Sequence, residues 1–364
     1  MRTLLIVPLP PPITGHSLAS QLLADSLERR HETAVVNLSE GSLHDGRVTV
    51  RRMREVARVL LAVWRRRRWA DTIYLTISES RAGNLKDLCI YLLCVGRLRR
   101  MFIHLHGGTI GRELFDRHPV WRRLNAAFIR RLGGIIISGP AHAGIFAGMI
   151  DRARIHMVPN SAEEQLFVAE GEILEKFMEP FPLRLLYISG MTPAKGYLDL
   201  AEAWFSLNQE VRSRIQLDFS GRFEAESDRA SFEARIAGVE GIRYHGLVDP
   251  EQKRRLFAEA HIFCLPTRMF EGQPISILEA YASGCAVITT AQPGIGDVFT
   301  NGINGFEIPA GSNAELANVL AKAVGLVDRL REIGIGNRRT AGERYRQVTF
   351  TSALARILEG AEAA

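Results

Sequence analysis

Two glutamates separated by seven residues, Glu271 and Glu279, stand in the part of the sequence with the clearest chemical pattern. The segment reads FEGQPISILEA and follows an apolar run, Ile262–Leu265, that is typical of a buried strand. Pro274 favours the first turn of a helix, and Gly272 allows a ligand to approach the backbone closely. The free N–H groups of such a helix start bind anions such as a diphosphate, and carboxylates bind vicinal hydroxyls. The alternative is a capped helix with solvated acids.

A lysine follows a second apolar run in a similar position. After Leu183–Ser189 the sequence reads GMTPAKGY, which places Lys195 in a turn at the start of a helix. A cation beside free backbone amides suits phosphate binding. The alternative is an ordinary corner between strand and helix with a surface lysine.

Two weaker patterns occur earlier in the chain. The proline-stiffened loop PPPITGH, residues 10–16, brings Gly15 to a helix start, although a plain turn would look the same. In HLHGG, residues 104–108, strand alternation places His104 and His106 on one face. No carboxylate cluster accompanies them, so we expect His104 in the core and consider His106 equally for structure or for binding a substrate hydroxyl. Motifs for a metal-bound diphosphate (D-x-D), a P-loop, a nucleophile elbow and a zinc site are absent from the sequence.

The elements that must position these residues alternate between short apolar runs and amphipathic stretches. Such alternation predicts parallel sheets covered by helices, in which ligands bind beyond the carboxyl ends of the strands. We therefore predict an α/β protein with two doubly wound Rossmann-like domains facing a central cleft. Strands are predicted at Thr3–Val7, Thr33–Asn37, Thr72–Ile77, Met101–Leu105, Gly134–Ser138, His156–Val158, Leu183–Ser189, Ile215–Ser220, Ile242–His245, Ile262–Leu265 and Ala286–Thr289, with helices near 16–29, 49–68, 83–99, 119–132 and 141–149.

The predicted organisation is a first Rossmann-like domain, 1–165, a second, 166–340, and a C-terminal helix, 341–364, packing back toward the first domain. Within this scheme the acidic residues 161–181, which end at Pro180 and Pro182, indicate a linker. The first 165 residues carry 25 Lys and Arg against 14 Asp and Glu, and the remainder carries 21 against 26. Charges of opposite sign, +11 and −5, indicate different partners for the two domains.

Four cysteines in apolar surroundings, without a C-x-x-C pair, favour free thiols in a reducing compartment, hence a cytoplasmic protein. The chain of 364 residues contains no apolar stretch long enough to span a membrane.

Taken together, these segments resemble the retaining glycosyltransferases of family 4, the group 1 glycosyltransferases, which have the GT-B fold. The resemblance extends over most of the chain and is strongest from Leu183 to Pro309. It rests on the spacing of Glu271 and Glu279 and on the flanking sequences LPT (265–267), SGCAVI (283–288), PGIGDV (293–298) and NGING (301–305). Val158-Pro159-Asn160 resembles the family's entry to the linker.

The resemblance implies a metal-independent hexosyltransferase that uses a nucleotide sugar as co-substrate and needs no cofactor. The domain 1–165 would bind the acceptor, and the domain 166–340 would bind the nucleotide sugar. Glu279 would hold the ribose hydroxyls, and Lys195 and Gly15 would contact the diphosphate. Glu271 and His106 would bind the donor sugar near the reacting centre. Further donor contacts would come from the backbone around Glu271, namely from Gly272, Gln273, Pro274 and Ile275.

Three positions depart from the family pattern. Many members carry an arginine one or two residues after the glycine that follows the Leu183–Ser189 strand, where this chain has Met191 and Thr192. A cation for the diphosphate is therefore missing there, and Arg268 is one candidate to replace it. The usual Asn-Gly after the linker strand is Asn160-Ser161, and the usual glycine pair near 293–294 is Pro293-Gly294. Related sequences of polysaccharide assembly also lack that arginine and keep the lysine, so we expect activity.

A basic amphipathic stretch, residues 51–69, indicates contact with an anionic membrane surface. Val56, Leu60, Val63 and Trp64 follow helical spacing among arginines, and the alternative is a core-packed helix with a solvated basic end. The expected place is the inner face of the cell membrane, with a lipid-linked or oligosaccharide acceptor in surface polysaccharide biosynthesis. Nucleic acid is not an expected partner, because no basic motif is interleaved with aromatic residues. A nucleotide-sugar 2-epimerase and a non-catalytic sugar-nucleotide-binding protein are the alternative functions.

Overall fold

The structure is a computed structural model of the chain, and it describes residues 1–11, 14–39 and 50–360. The predicted helix boundary at residue 49 and part of the 10–16 loop, residues 12–13, lie outside the described residues. The chain divides into two compact units. The first consists of Met1–Asn160 together with the chain from Gln347 onward, and the second is Ser161–Arg346.

The first unit contains one parallel sheet of six strands in the order β2-β1-β3-β4-β5-β6. Short apolar runs form these strands because both faces of the sheet are covered by helices. Its elements up to Asn160 are β1 Arg2–Val7, α1 Gly15–Glu28, β2 Glu32–Asn37, α2 Val50–Arg66, β3 Thr72–Thr76, α3 Arg81–Leu93, β4 Met101–Leu105, α4 Pro119–Ile129, β5 Gly134–Ile137 and β6 Ile155–Met157.

The second unit repeats this plan with the strand order β12-β11-β10-β7-β8-β9, again parallel throughout. Its elements are α5 Glu170–Lys176, β7 Leu183–Ile188, α6 Tyr197–Ser206, α7 Gln209–Arg212, β8 Ile215–Ser220, α8 Glu226–Ile236, β9 Ile242–Tyr244, α9 Pro250–Glu259, β10 Ile262–Leu265, α10 Ile275–Ala282, β11 Ala286–Thr290, α11 Pro293–Gly296, β12 Gly305–Ile308, α12 Asn313–Ala323 and α13 Val327–Arg344. All eleven predicted strands are present, and no boundary differs by more than one residue.

Alternate residues of β1 divide the core of the first unit into two layers. Leu4 and Ile6 belong to the core that contains Val63 of α2, together with residues of α3 and α4. Leu5 and Val7 belong to the other core, under α1 and the last helix of the chain, α14 Gln347–Glu359. Helix α14, which was predicted within 341–364, therefore packs on the first unit.

Two sequence-based assignments are wrong. Residues 161–181 are not a linker, because Ile173 of α5 and the following Phe177 are buried in the core of the second unit. The stretch near 141–149 forms a 3-10 segment, Pro140–Phe146, rather than an α-helix, in a sequence that contains Pro140 and Gly144. The prediction also missed β12, an edge strand whose Glu307 interrupts a short apolar run.

Helix α2 is amphipathic, as predicted. However, several of the apolar positions that we expected at a membrane surface face the core of the protein instead. Val63 is fully buried in the core, and Val56 and Leu60 are half-buried, so these positions pack on the protein. Other apolar side chains of α2 remain exposed, among them Trp64 at 52%. Within the described residues, none of the helices has the length and apolar character that crossing a membrane requires.

Candidate donor site

The two strongest motifs meet at one point of the second sheet. Strand β7 lies between β8 and β10. After β7 the chain adds β8 and β9 on one side of it and then returns to add β10, β11 and β12 on the other side. Ligands of open parallel sheets bind where the strand order reverses in this way, beyond the carboxyl ends of the strands. The loop after β7 carries Lys195, and the loop after β10 carries Glu271.

Lys195 and Glu271 form a close ion pair at this point. The Lys195 ammonium donates to both carboxylate oxygens of Glu271, with Nζ to Oε1 at 2.6 Å and Nζ to Oε2 at 2.8 Å. The hydroxyl of the buried Thr267 also donates to Oε1, at 2.8 Å. Only 8% of the Glu271 side chain is exposed, against 23% for Lys195. The carboxylate is thus fixed from two sides, while the lysine remains accessible to an anion.

Glycine at 294 makes the backbone of this loop possible. A Cβ atom there would lie 1.4 Å from the carbonyl oxygen of Gly272, and the Gly294 N–H donates to the carbonyl oxygen of Glu271. Helix α11 can therefore approach the loop only with glycine at this position. Gly294 belongs to the Pro293-Gly294 pair that departs from the family pattern, and the glycine that the packing needs is retained.

The four residues after Glu271 lead directly into helix α10. Pro274 occupies the cap position just before the helix rather than its first turn, and Ile275 is the first helical residue. Gln273 is buried and Gly272 is half-buried. The helix start, with its dipole, is a suitable place for an anionic group.

Glu279 lies further along α10 and has a lysine partner of its own. Its Oε1 accepts from Lys253 Nζ at 2.7 Å, and Lys253 also donates to Glu163 Oε1 at 2.7 Å. Burial raises the pKa of Glu279, and the nearby Lys253 opposes this shift. Sequence reasoning missed Lys253 and Glu163, because neither belongs to a motif and they are distant from Glu279 along the chain.

Arg268, the candidate to replace the cation missing after β7, has an acidic partner in the second unit. The Arg268 guanidinium pairs with the buried Asp199 of α6 through two nitrogens, one at 2.9 Å, so its charge already has a partner. Met191 is itself buried, and its backbone pairs with Phe223 in the loop after β8.

The N-terminal candidates lie in the first unit. Gly15 is the first residue of α1. Thr14, just before it, forms a capping box with Ser17 at the helix start. His16 follows, and its ring centroid lies 4.2 Å from that of His106, which stacks in turn on His104 at 3.9 Å. The two histidines of the HLHGG motif are therefore together, and α1 adds a third that the motif did not reveal.

These three imidazoles are neutral at pH 7. Burial lowers the pKa of His16 to about 4 and that of His104 to about 3, and it lowers the pKa of His106 well below its usual range. His104 Nδ1 hydrogen-bonds the Tyr74 hydroxyl, and His106 hydrogen-bonds Asn160. His104 is part of the core, as expected. A neutral His106 can donate or accept a hydrogen bond without adding charge. In the described part of the chain, no group of three or more His, Cys, Asp and Glu side chains is arranged to hold a metal ion.

A carboxylate that the sequence did not single out shapes the loop after His106. Glu79, which follows β3, accepts from the backbone N–H groups of Thr109 at 2.6 Å and of Ile110 at 3.3 Å. Gly107 makes room for it, because a Cβ atom there would lie 1.8 Å from Glu79 Oε1. The paired glycines of the HLHGG motif were the available signal that another group approaches this backbone closely.

Comparisons with known proteins agree with this architecture. The family model described as Glycosyl transferases group 1 matches residues 182–325 of the second unit. The phosphatidyl-myo-inositol mannosyltransferase of Mycobacterium leprae is 31% identical over 169 residues, which cover 46% of this chain and 43% of the relative. The O-antigen chain mannosyltransferase B of Escherichia coli is 32% identical over 145 residues, covering 38% and 36% respectively. The chain thus spans less than half of the length of these curated relatives.

Among solved structures, the Anabaena HepE protein in complex with UDP-glucose superimposes with a TM-score of 0.73 at 16% identity, covering 99% of this chain and 100% of that one. Identity at this level shows the fold alone. The fold of this chain is GT-B, and residues 182–325 of its second unit match the group 1 glycosyl transferases.

Proposed function

We propose that the protein is a retaining, metal-independent glycosyltransferase that moves a hexose-type sugar from a nucleotide diphosphate sugar to a lipid-linked or oligosaccharide acceptor. The pathway we propose is surface polysaccharide biosynthesis, at the inner face of the cell membrane. The family match of the second unit and the two mannosyltransferase relatives support this class of reaction.

The observation that carries the proposal is the Lys195–Glu271 pair at the point where the strand order of the second sheet reverses. A cation and a fixed carboxylate side by side suit a ligand with an anionic and a hydroxyl-rich part, which describes a sugar diphosphate. We assign Lys195 to the diphosphate and Glu271 to the donor sugar, with the backbone of Gly272–Ile275 beside it. Glu279, which lies further along the helix that starts at Ile275, is assigned to the ribose hydroxyls.

In the proposed reaction the acceptor oxygen bonds to the anomeric carbon while the bond from that carbon to the diphosphate oxygen breaks. The acceptor attacks on the face from which the diphosphate departs, so the configuration is retained without a protein nucleophile. The departing phosphate oxygen takes the acceptor's proton. Lys195 would stabilise the charge that develops on the leaving group, and the carboxylate of Glu271 would hold the sugar in place. Gly15 and the neutral His106 are the contacts that we propose from the first unit.

The test is to incubate the purified protein with UDP-, GDP-, ADP- and TDP-sugars in EDTA, with and without lipid-diphosphate acceptors, and to measure nucleoside diphosphate release. We expect acceptor-dependent release from one donor, which Glu271→Ala lowers by a factor of about 100 or more. Glu332→Ala, a change of the same kind at an exposed site on α13, is the matched control.

The other outcomes are equally informative. Conversion of the nucleotide sugar without an acceptor would indicate the 2-epimerase. Tight binding of one donor without any turnover would indicate a sugar-nucleotide-binding protein. Release that occurs only when Mg²⁺ or Mn²⁺ replaces EDTA would contradict metal independence.

We propose that the first unit contacts the membrane surface through the face that α2, α3 and α4 cover. Residues 50–131 carry 19 Lys and Arg against 6 Asp and Glu. Large apolar side chains on these helices are exposed among the arginines, a pattern that favours an anionic lipid surface over solvent. They are Val50, Met53, Leu61 and Trp64 on α2, Leu85 and Leu92 on α3, and Val120 and Leu124 on α4, with exposures from 46% to 67%.

Vesicle sedimentation tests this assignment. We expect binding to phosphatidylglycerol-containing vesicles at about 0.05 M salt, weaker binding at about 0.5 M, and little binding to pure phosphatidylcholine. The double change of Leu61 and Trp64 to serine should weaken binding, whereas Val348→Ser, at an equally exposed site on α14, should not. Equal binding to both kinds of vesicle would contradict the proposal.

A further inference from the structure

A lysine that no sequence motif contains sits between two carboxylates in the second unit. Lys253 Nζ lies 2.7 Å from Glu279 Oε1 and 2.7 Å from Glu163 Oε1. The three side chains differ in exposure, with 18% for Lys253, 26% for Glu163 and only 5% for Glu279. The innermost member of the cluster is therefore the carboxylate that the proposed function assigns to the ribose.

Lys253 is itself held in a fixed position. It lies in the first turn of α9, where the Asp249 side chain accepts from the Gln252 N–H at 2.8 Å and Gln252 Oε1 accepts from the Asp249 N–H at 3.3 Å. The Lys253 N–H donates to the Asp249 carbonyl oxygen, which completes the turn. Glu163 then anchors the ammonium from the other side, so the side chain has little freedom to leave Glu279.

A buried carboxylate needs such a partner to remain charged. Burial raises the pKa of Glu279, and Glu163 adds to that shift, while Lys253 counteracts it. The pKa of Lys253 is raised overall, because the two carboxylates outweigh the effect of burial on the ammonium. An ionised carboxylate accepts hydrogen bonds only, whereas a protonated one must also place a donor, so the charge state decides what Glu279 can bind.

We infer that Lys253 is a positioning residue that fixes the Glu279 carboxylate to accept two vicinal hydroxyls, and that it thereby makes the site prefer ribonucleotides over 2′-deoxyribonucleotides. This inference rests on the proposed function, since it assumes that Glu279 binds the ribose. Lys253 holds one oxygen of the carboxylate and leaves the other for the ligand. Without the lysine, the carboxylate loses both its orientation and the charge that makes its hydrogen bonds strong.

The experiment compares paired ligands on the same protein sample. The affinities for UDP and 2′-deoxy-UDP, and for GDP and 2′-deoxy-GDP, are measured by calorimetry on the full chain. The variants are Lys253→Met, Lys253→Arg and Glu279→Ala, with Lys322→Met, at an exposed site on α12, as the matched control. If Lys253→Met does not fold, as judged by thermal unfolding, Lys253→Gln replaces it.

We expect the wild type, Lys253→Arg and Lys322→Met to bind the ribonucleotide about tenfold more tightly than its 2′-deoxy form, which is the size of one hydrogen bond to a charged group. Glu279→Ala and Lys253→Met should reduce this ratio to about twofold or less. A ratio that Lys253→Met leaves intact while Glu279→Ala removes it would overturn the role of Lys253 alone. Equal weakening of both ligands by Lys253→Met would show a merely structural role and would also overturn it.

A failure of the proposed function looks different. In that case UDP, GDP and ADP all fail to bind, or Glu279→Ala keeps the preference for the ribonucleotide. The ribose assignment of Glu279 then falls, and the positioning role of Lys253 falls with it.

Discussion

The change Glu271→Gln should affect two related ligands in opposite directions. In the free protein, Lys195 Nζ lies 2.6 and 2.8 Å from the two carboxylate oxygens of Glu271, so the two groups that we assign to the donor neutralise each other. A diphosphate must compete with Glu271 for this ammonium. The glutamine variant removes the competing charge, and the Thr267 hydroxyl that donates to Oε1 can still orient the amide oxygen.

The expected size follows from the geometry of the pair. Two unit charges at this separation attract each other by about 6 kcal/mol at an effective dielectric constant of 20 and by about 1.5 kcal/mol in water. Because 23% of the Lys195 side chain is exposed, water screens much of the larger figure. We therefore expect the free nucleoside diphosphate to bind about tenfold more tightly, a change of about 1.4 kcal/mol. Turnover of the nucleotide sugar should fall about 100-fold or more, because the sugar loses its charged partner.

Calorimetry with UDP and GDP, alongside a turnover assay, measures both effects. The gain in diphosphate affinity should shrink at high salt, since it is electrostatic, and Glu332→Gln on α13 should show neither effect. Weaker binding of both the nucleoside diphosphate and the nucleotide sugar would refute the competition. It would mean that Glu271 supports the diphosphate site rather than opposing it.

Two further predictions concern the loop at Glu271 and the stability of the second unit. Gly294→Ala should abolish turnover, because its Cβ would lie 1.4 Å from the Gly272 carbonyl oxygen. Gly296→Ala, in the same short helix, is the control: its Cβ meets nothing within 4 Å, so this variant should behave as wild type. Equal activities of the two variants would contradict this prediction. The buried His261 has a pKa lowered to about 4, chiefly by burial, so the unfolded chain binds its proton first as the pH falls. Its stabilising contribution is complete above about pH 6.5 and is lost as the pH falls toward 4, by up to about 3 kcal/mol. Denaturation at about pH 7.5 and about pH 4.5 should therefore show a smaller pH-dependent loss in His261→Asn than in the wild type, and identical losses would rule the assignment out.

The strands could be predicted because burial on both faces requires continuous apolar runs, and such runs are visible in the sequence. The boundaries of β8 and β10 agree with the prediction to the residue. Strand β12 was missed because an edge strand needs less apolar sequence, and Glu307 lies in the middle of it. The segment 161–181 was misread because its acidic residues are interspersed with the side chains, such as Ile173, that pack into the core, so no continuous apolar run is visible.

For the candidate site, sequence reasoning located the groups but not their partners. Lys195 and Glu271 could be placed at the carboxyl ends of strands in the same sheet, because both motifs follow apolar runs. That they form an ion pair depends on which strands are adjacent, and β7 pairs with β10 although two strands and four helices lie between them in the chain. Lys253 and Glu163 carried no signal at all, since a charge pair between distant segments has no fixed spacing.

Glu271 and Glu279, the two carboxylates that we assign to the donor, are expected to have different roles. Both accept from a lysine at 2.6 to 2.8 Å, but their surroundings differ. Among the described residues, Lys195 pairs with the Glu271 carboxylate alone, so we expect a diphosphate to take it over and to rearrange this pair. Lys253 is shared with Glu163 and anchored in a capped helix turn, so the Glu279 pair is one that persists when a ligand binds. An ion pair that persists suits the ribose, which UDP-, GDP- and ADP-sugars have in common, and one that a ligand rearranges suits the sugar diphosphate, where bonds are made and broken.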